Sequence, residues 1–429
     1  MDGRIPEFLR LLFTTPLGET KAVEIASDRL GEISNSGVCF DGSSVKGYAK
    51  VNNSDLVLKL RGEPIYETWD KDMALALCRV YDTDDIPHRL DTITVLERVI
   101  SNAREMGFRF MVGGELEFFL VRELGKSGII PADSGGYYAA PPSDRGLSIR
   151  RDVSMTLRRM GLHTTVHHHE VARGQHEIGL KFCDVMELAD AILVARASIA
   201  ERAIRDGLIA TFMPKPFAKE NGSGLHIHQS LWDLKGENNL FSGEDGALSK
   251  TAEHFAAGLL RHASGLAALV APTVNSYKRL RPGFEAPTQI AWGPMNRTTM
   301  IRIPHYMGNH KNARIELRCP DSSCSPHLAL AAILAAGLDG VENELEPPSP
   351  RDDDLFESQE GARQLPPSLS IAISELESDS VLREVLGEEL IEWITRMRLN
   401  EWRDYVSVTG DPGPMQVTSW EIDRYLLAM

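Results

Sequence analysis

The stretch FRFMVGGELEFFLV, residues 108–121, reads as a single strand carrying an unusual pair of charges. Side chains two apart on a strand share a face. Glu115 and Glu117 therefore point the same way, among Phe108, Phe110, Phe118 and Phe119. Two carboxylates so placed repel each other and lose solvation. Divalent cations would relieve both costs. A polar strand face at the solvent surface is the competing reading, and these residues alone leave both open.

Further strand-like runs lie on the C-terminal side: GLHTTVHHHEVA (161–172), GSGLHIHQSLW (222–232) and NARIELRCP (312–320). Helical runs separate them, at Asp184–Asp206, Lys250–Leu269 and Leu328–Asn343. Strands and helices do not alternate regularly, so the pattern predicts an α+β fold with a mixed or antiparallel sheet and flanking helices. Towards the N-terminus, LRLLFTTPLGETKAVEIAS (9–27) reads as a β-hairpin around Pro16-Leu17-Gly18. The Gly-, Ser- and Asn-rich stretch 37–60 reads as a loop. From Asp91 to Met106, Ile93, Leu96, Ile100 and Ala103 recur at helical spacing. An N-terminal domain over 1–90 and a second domain over 91–429 follow. Beyond a polar loop at 346–361, Ser368–Met397 and Thr418–Met429 read as amphipathic helices.

Composition narrows the function. With 46 basic and 61 acidic residues the net charge is −15, which disfavours polyanionic partners such as nucleic acid or a membrane surface. Five cysteines, an odd number with no CxxC spacing, argue for a reducing compartment. The segment MDGRIPEFLRLLF lacks an uninterrupted apolar core of signal-peptide type, and Leu328–Leu338 is too short to span a bilayer, which needs about twenty apolar residues. The expected location is cytoplasmic.

Other acidic and imidazole groups fall at suggestive spacings. Glu170 and Glu177 supply a second carboxylate pair in HHHEVARGQHE, and His226 and His228 are again two apart behind Asn221-Gly222-Ser223-Gly224. Successive strand residues alternate faces, so His167, His168 and His169 cannot all serve one ion. Glu316 and Arg318 form a third such pair. Carboxylates with one or two histidines and no sulfur favour Mg²⁺ or Mn²⁺ over zinc. Arg279, Arg281, Arg297, Arg302, Arg314 and Arg318 form a local basic group suited to phosphate or carboxylate ligands. Neither a P-loop nor a GxGxxG turn is present, so any ATP must be held by metals and arginines.

These stretches resemble glutamine synthetases. The match runs through FDGSS (40–44), GGELEFFL (113–120), HHHEVARGQHEI (167–178), TFMPKPF (211–217), NGSGLHIHQSL (221–231), NSYKRLRPGFEAP (275–287), NRTTMIRIP (296–304) and RIELRCPD (314–321) in the family's order. The resemblance implies an N-terminal β-grasp domain, a C-terminal catalytic domain, and a double hexameric ring with active sites shared between neighbours. It also implies ATP as co-substrate, two or more Mg²⁺ or Mn²⁺ ions per site, and ligation of ammonia to glutamate through γ-glutamyl phosphate.

Residue by residue, the resemblance makes Glu117, Glu170 and Glu177 ligands of one metal, and Glu115, His226 and Glu316 ligands of another. Arg297, Arg302 and Lys311 match phosphate contacts, and His228 and Ser230 nucleotide contacts. Asn221, Gly222, Arg279 and Arg318 match the glutamate pocket. Asp41, Ser44, Asp55 and Glu285 match the ammonium site, with Asp41 reaching a neighbouring subunit. The implied catalytic groups are Asp41, Glu285 and Arg297. Departures from the pattern are Thr165, Ala195-Arg196, Ser325-Pro326-His327 and residues 86–92. The segment 352–361 has Phe356 and no tyrosine, so the adenylylation of some bacterial members is not expected there. A γ-glutamyl ligase for a polyamine, ethanolamine or methylamine, and a non-catalytic family member, are the alternatives. The retained Asp41, Asp55 and Glu285 favour ammonia.

Overall fold

The computed structural model describes residues 6–428 apart from 69, 124–127, 244–246, 307–308, 359–360, 362, 411–412 and 414. Strands β1 (Phe8–Thr14), β2 (Thr20–Ala26), β3 (Val38–Asp41), β4 (Asp55–Glu67) and β5 (Met73–Tyr81) form one sheet in the order β2-β1-β5-β4-β3. The β1–β2 hairpin is in register from Thr14↔Thr20 to Phe8↔Ala26, while β1 runs parallel to β5. The stretch 37–60 is not a plain loop: it contains β3 and the start of β4. Leu56 and Leu58 are buried on alternate positions of β4, and β3 pairs beside them at the sheet edge. A four-residue edge strand is too short for its period to stand out among turn residues.

The second sheet contains β6 (Phe108–Glu123), β7 (Ile129–Pro131), β8 (Thr164–His169), β9 (Gln175–Asp184), β10 (Ile209–Thr211), β11 (Leu225–Asp233), β12 (Trp292–Pro294), β13 (Ile301–Ile303) and β14 (Ile315–Leu317). Its order is β12-β13-β14-β11-β6-β9-β8, with β7 and β10 pairing with β6 as well. Among the described residues of this sheet only β12 and β13 pair in parallel, so the sheet is mixed and mainly antiparallel. Leu116, Phe118 and Leu120 of β6 are fully buried on one face. The other face carries Glu115 and Glu117.

Helices Val185–Arg205, Lys250–Val270 and Pro326–Glu342 contribute much of the core. Their starts are locally encoded. Asp184 accepts from Met186 N, Ser249 accepts from Ala252 N, and Pro326 stands in the first turn of the third helix. The helix Pro326–Glu342 is buried on nearly all sides, in keeping with its run of Leu and Ala. It meets Lys250–Val270 at very short range. A Cβ on Gly258 would lie 2.1 Å from the Ala336 carbonyl oxygen, and one on Gly340 would lie 2.0 Å from that of His254.

The expected helix over Ser368–Met397 is instead three: Leu369–Ser378, Ser380–Leu386 and Glu388–Thr409. Asp379 turns the chain and caps Leu382 N with its own side chain, and Gly387 takes a positive φ of 98°. Both residues favour local alternatives to a continuous helix. The first sheet is tied to these elements by polar contacts. Arg61 of β4 pairs with Asp190, which also bonds His327 Nε2 at 2.9 Å. Trp393 Nε1 donates to the Gly47 carbonyl at 3.0 Å, and Arg398 Nη2 to that of Leu17 at 2.8 Å. No helix among the described residues is long and apolar enough to cross a membrane.

The helix contact at Gly258 has no room for a side chain. Gly258→Val should lower stability by about 2–3 kcal/mol, as overpacking typically does. Gly31→Ala, where a Cβ meets nothing within 4 Å, should not destabilise. Thermal unfolding of both variants checks this; equal melting temperatures would refute the tight helix contact.

Candidate active site

A polar stripe crosses the second sheet. Arg302 on β13 pairs in register with Glu316 on β14, and Glu316 with His228 on β11. His226 on β11 lies opposite Glu115 on β6. Glu117 lies opposite Glu177 on β9, which lies opposite His168 on β8. Register therefore gathers on one face residues that range from position 115 to position 316 of the chain. Above the stripe is a cavity of about 820 Å³.

The two halves of the stripe differ in charge balance. In one half, His226 Nδ1 lies 3.0 Å from Glu115 Oε2 and His228 Nε2 lies 2.8 Å from Glu115 Oε1. Glu316 is clamped by Arg302 Nη1 at 2.5 Å and Arg318 Nη1 at 2.6 Å. Burial opposes ionisation of Glu115, but the hydrogen bonds from His226 and His228 prevail and hold its pKa well below the ordinary value. Burial likewise opposes ionisation of Glu316, yet His228, Arg318 and His226 hold its pKa at about 2.

The other half is short of cations. Glu117, Glu170 and Glu177 line the same cavity. Burial, then the charges of Glu117 and Glu177, push the Glu170 pKa up to about 8. Burial also raises that of Glu177, although His168 Nε2 stands 3.2 Å from its Oε1. Glu117 Oε2 accepts from Gln175 Nε2 at 3.0 Å and Gly224 N at 2.8 Å, while its Oε1 stands 3.7 Å from His226 Nε2. Crowded carboxylates on one cavity wall, where burial and then neighbouring negative charge raise the pKa of Glu170 and of Glu177, fit a divalent cation. Ligand atoms of Glu115, His226 and Glu316 lie within 4.8 Å of one another, as do those of His168, Glu170 and Glu177.

Close backbone approach shapes the cavity wall. Arg279 donates to the carbonyls of Arg318, Cys319 and Pro320 at 2.9–3.0 Å, which fixes its guanidinium in the interior. A Cβ on Gly224 would come within 2.6 Å of Arg279 Nη2, and one on Gly222 within 2.5 Å of the Pro214 carbonyl oxygen. These two glycines are required by contact. Glu285 and Tyr138, both on the cavity, adopt left-handed backbone with φ of 52° and 56°. Non-glycine residues held there store strain, which is concentrated at functional sites.

Of the residues singled out from sequence, Glu115, Glu117, Glu170, Glu177, Asn221, Gly222, His226, Arg279, Glu285, Arg297 and Arg318 all line the cavity. Glu316, His228 and Arg302 adjoin it through the contacts above. Ser230 is buried further along β11 and accepts from Trp232 Nε1 at 3.0 Å, while Lys311 lies on the short turn His310–Asn312. Asp41, Ser44 and Asp55 are elsewhere. Asp41 and Asp55 face each other across β3 and β4 on the exposed edge of the first sheet, with Asp41 accepting from Ser43 N at 2.9 Å and Ser44 Oγ at 2.6 Å.

Sequence reading missed several contributors. Tyr137 and Tyr138 line the cavity, their rings 4.1 Å apart and edge-on to His168, and GGYY carries no signal of this. Strand alternation does split the histidine run: His168 faces Glu177, while His169 is fully buried between Asp133 Oδ1 at 2.9 Å and the Glu170 carbonyl at 2.7 Å. Phe356 also reaches the cavity; residues 359–360 of its segment lie outside the described residues. Ala195 and Arg196 are fully buried, Arg196 donating to the Cys324 carbonyl at 3.0 Å, and neither lines the cavity.

The charge stress on Glu170 has a measurable consequence. Its folded pKa of about 8 exceeds the ordinary 4.5 of an unfolded chain, so the unfolded state binds fewer protons between these values and stability falls as pH rises through them. Glu170→Gln should therefore raise the melting temperature of chelator-treated protein at pH 9, with a smaller gain at pH 5. A pH-independent difference would contradict the crowding of Glu117, Glu170 and Glu177.

Comparison with known proteins agrees with this geometry. Residues 89–425 match the family model for the glutamine synthetase catalytic domain, and residues 6–83 the model for its β-grasp domain. The chain is 41% identical to the glutamine synthetase of Pyrococcus abyssi over 98% of its own length and 97% of the relative's. It is 39% identical to that of Methanococcus maripaludis over 98% and 96%. Among solved structures, GmaS in complex with ADP superposes with a TM-score of 0.86 at 32% identity, covering 98% of this chain and 97% of that one. Matched along both of its sheets and nearly its whole length, the chain belongs to the glutamine synthetase family of ligases.

Proposed function

We propose that the protein joins ammonia to the γ-carboxylate of L-glutamate, cleaving ATP to ADP and phosphate through γ-glutamyl phosphate. The observation that carries this reading is Glu285. Its carboxylate is held at the cavity by Asn221 Nδ2 at 2.9 Å, on a left-handed backbone that aims it there. An anionic group in that position suits a small cationic acceptor and can take its proton. The uncharged amine then attacks the acyl carbon, and phosphate departs with the bonding electron pair.

The remaining roles follow the geometry. Glu117, Glu170 and Glu177 would hold one divalent cation and Glu115, His226 and Glu316 another, and such ions supply neutralisation of the ATP phosphates. Arg297, Arg302 and Lys311 would contact phosphate groups, with His228 and Ser230 on the nucleotide side. Asn221, Gly222, Arg279 and Arg318 would bind glutamate. Asp41, Ser44 and Asp55, exposed on the first sheet, would complete the ammonium site of an adjacent subunit in a ring assembly. On this reading residues 1–90 form the β-grasp domain and 91–429 the catalytic domain.

A second reading is favoured by one comparison. Two structures of GmaS, a γ-glutamylmethylamide synthetase, match at TM-score 0.86. The retained acidic residues Asp41, Asp55 and Glu285 and the higher identity to glutamine synthetases support ammonia. One experiment separates these readings and a second tests the shared site. kcat/KM for ammonium, methylamine, ethanolamine and putrescine at fixed ATP and glutamate should be highest for ammonium, and Glu285→Ala should narrow that preference. A higher value for methylamine would replace the ammonia reading with the γ-glutamyl amide one. For shared sites, mixing inactive Asp41→Ala and Arg297→Ala subunits should restore up to about a quarter of full activity, the share of randomly formed sites containing both native groups. No recovery after subunit exchange, verified by mass, would exclude sites shared through Asp41.

A further inference from the structure

Lys215 has no role above, yet it sits beneath two loops of the cavity. Its side chain is almost wholly buried, and both direct partners of its ammonium are uncharged. Nζ donates to the Glu220 carbonyl and stands 3.1 Å from the centroid of the Phe284 ring. Each partner immediately precedes a cavity residue: Glu220 precedes Asn221, and Phe284 precedes Glu285. Asn221 and Glu285 are themselves hydrogen-bonded. One cation thus contacts two segments of the cavity wall, at the Glu220 carbonyl and at Phe284, which itself lines the cavity, and the two segments meet one residue further along each.

The backbone of Lys215 is itself fixed. Lys215 N donates to Asn275 Oδ1 at 2.6 Å, and Asn275 Nδ2 donates to the Lys215 carbonyl at 3.1 Å and to Glu421 Oε1 at 2.8 Å. The adjoining Pro214 carbonyl accepts from Ser223 N at 2.8 Å, just past Asn221-Gly222. A buried ammonium without a bonded carboxylate is costly. Burial, then the charge of Arg279, press the Lys215 pKa down to about 7, with the Glu220 carboxylate opposing. An apolar side chain would fill this space at lower electrostatic cost, so packing alone does not account for lysine here.

We infer that Lys215 is a positioning residue: it sets the separation of Asn221 and Glu285, and thereby the fit of glutamate and of the acceptor amine. The inference rests on reading those two residues as substrate-binding. A desolvated cation–ring contact and the hydrogen bond beside it predict roughly a tenfold effect.

The test compares Lys215→Met, Lys215→Arg, Phe284→Leu, the Lys215→Met/Phe284→Leu double variant and Glu285→Gln in the full-length enzyme. The measurements are kcat and KM for ATP, glutamate and whichever panel amine has the highest kcat/KM. Lys215→Met should raise KM for glutamate and amine roughly tenfold while KM for ATP stays within about twofold. Lys215→Arg should recover most of the loss. The double variant should be little worse than Lys215→Met alone, because both changes remove one contact. Unchanged constants in Lys215→Met, or a parallel rise in all three KM values that arginine does not rescue, would overturn the inference. Should Lys215→Met not fold, Lys215→Gln takes its place: a selective rise for glutamate and amine supports the contact, and none refutes it. If Glu285→Gln changes nothing while Lys215→Met raises KM for glutamate, the acceptor-site reading of Glu285 fails and the positioning of Asn221 stands.

Discussion

Like charges on one face of a buried strand are the constraint around which this molecule is arranged. Glu115 and Glu117 cannot turn away from each other, because the other face of β6 is filled by Leu116, Phe118 and Leu120. Each neighbouring strand answers that charge differently. On the β11–β14 side, two imidazoles hydrogen-bond Glu115 and two guanidinium groups pair with Glu316. On the β9–β8 side, Glu177 and Glu170 add negative charge, and His168 is the cationic partner. The resulting asymmetry gives one half of the cavity a standing demand for external positive charge. Folding supplies the energy to maintain it, since the apolar face of the same sheet is buried against helices.

Precision at the cavity wall comes from short contacts that exclude side chains. Arg279 is locked by three carbonyls, and the chain at Gly222 and Gly224 passes too close for a Cβ. Glu285 sits on strained backbone nearby, stabilised by Asn221. The surrounding structure over-determines these positions, which is the condition under which local strain persists. Flexible polar loops alone would not hold two carboxylates and a guanidinium at fixed separations.

The first sheet serves a different purpose. It is anchored to the helices by Arg61–Asp190–His327 and by carbonyl contacts from Trp393 and Arg398. That anchorage leaves Asp41, Ser44 and Asp55 on an exposed edge, away from the cavity of their own chain. An acidic, hydroxyl-bearing edge presented outward is a surface that a second copy can use, and the proposed shared site follows from it.

Much was legible in the residues because strand period two and helical period 3.6 act locally. The pairing of Glu115 with Glu117, the alternation of the histidine run, the β1–β2 hairpin and the helices Val185–Arg205 and Lys250–Val270 are all consequences of nearest neighbours along the chain. Short β3 and the breaks between the C-terminal helices are not legible in the residues, because a four-residue strand shows too little period and because the interruptions at Asp379 and Gly387 depend on one cap and one left-handed residue. Register between strands was out of reach: nothing near Glu117 names Glu177 as its opposite, or Glu316 as that of His228. Likewise the burial of Arg196, the tyrosines over His168 and the cation beneath Phe284 are set by packing across many tens of residues. The sequence by itself determined which side chains share a face of each element. Only the tertiary structure decided which faces meet, because that choice is made by the burial of apolar surface over the whole chain rather than by any local pattern.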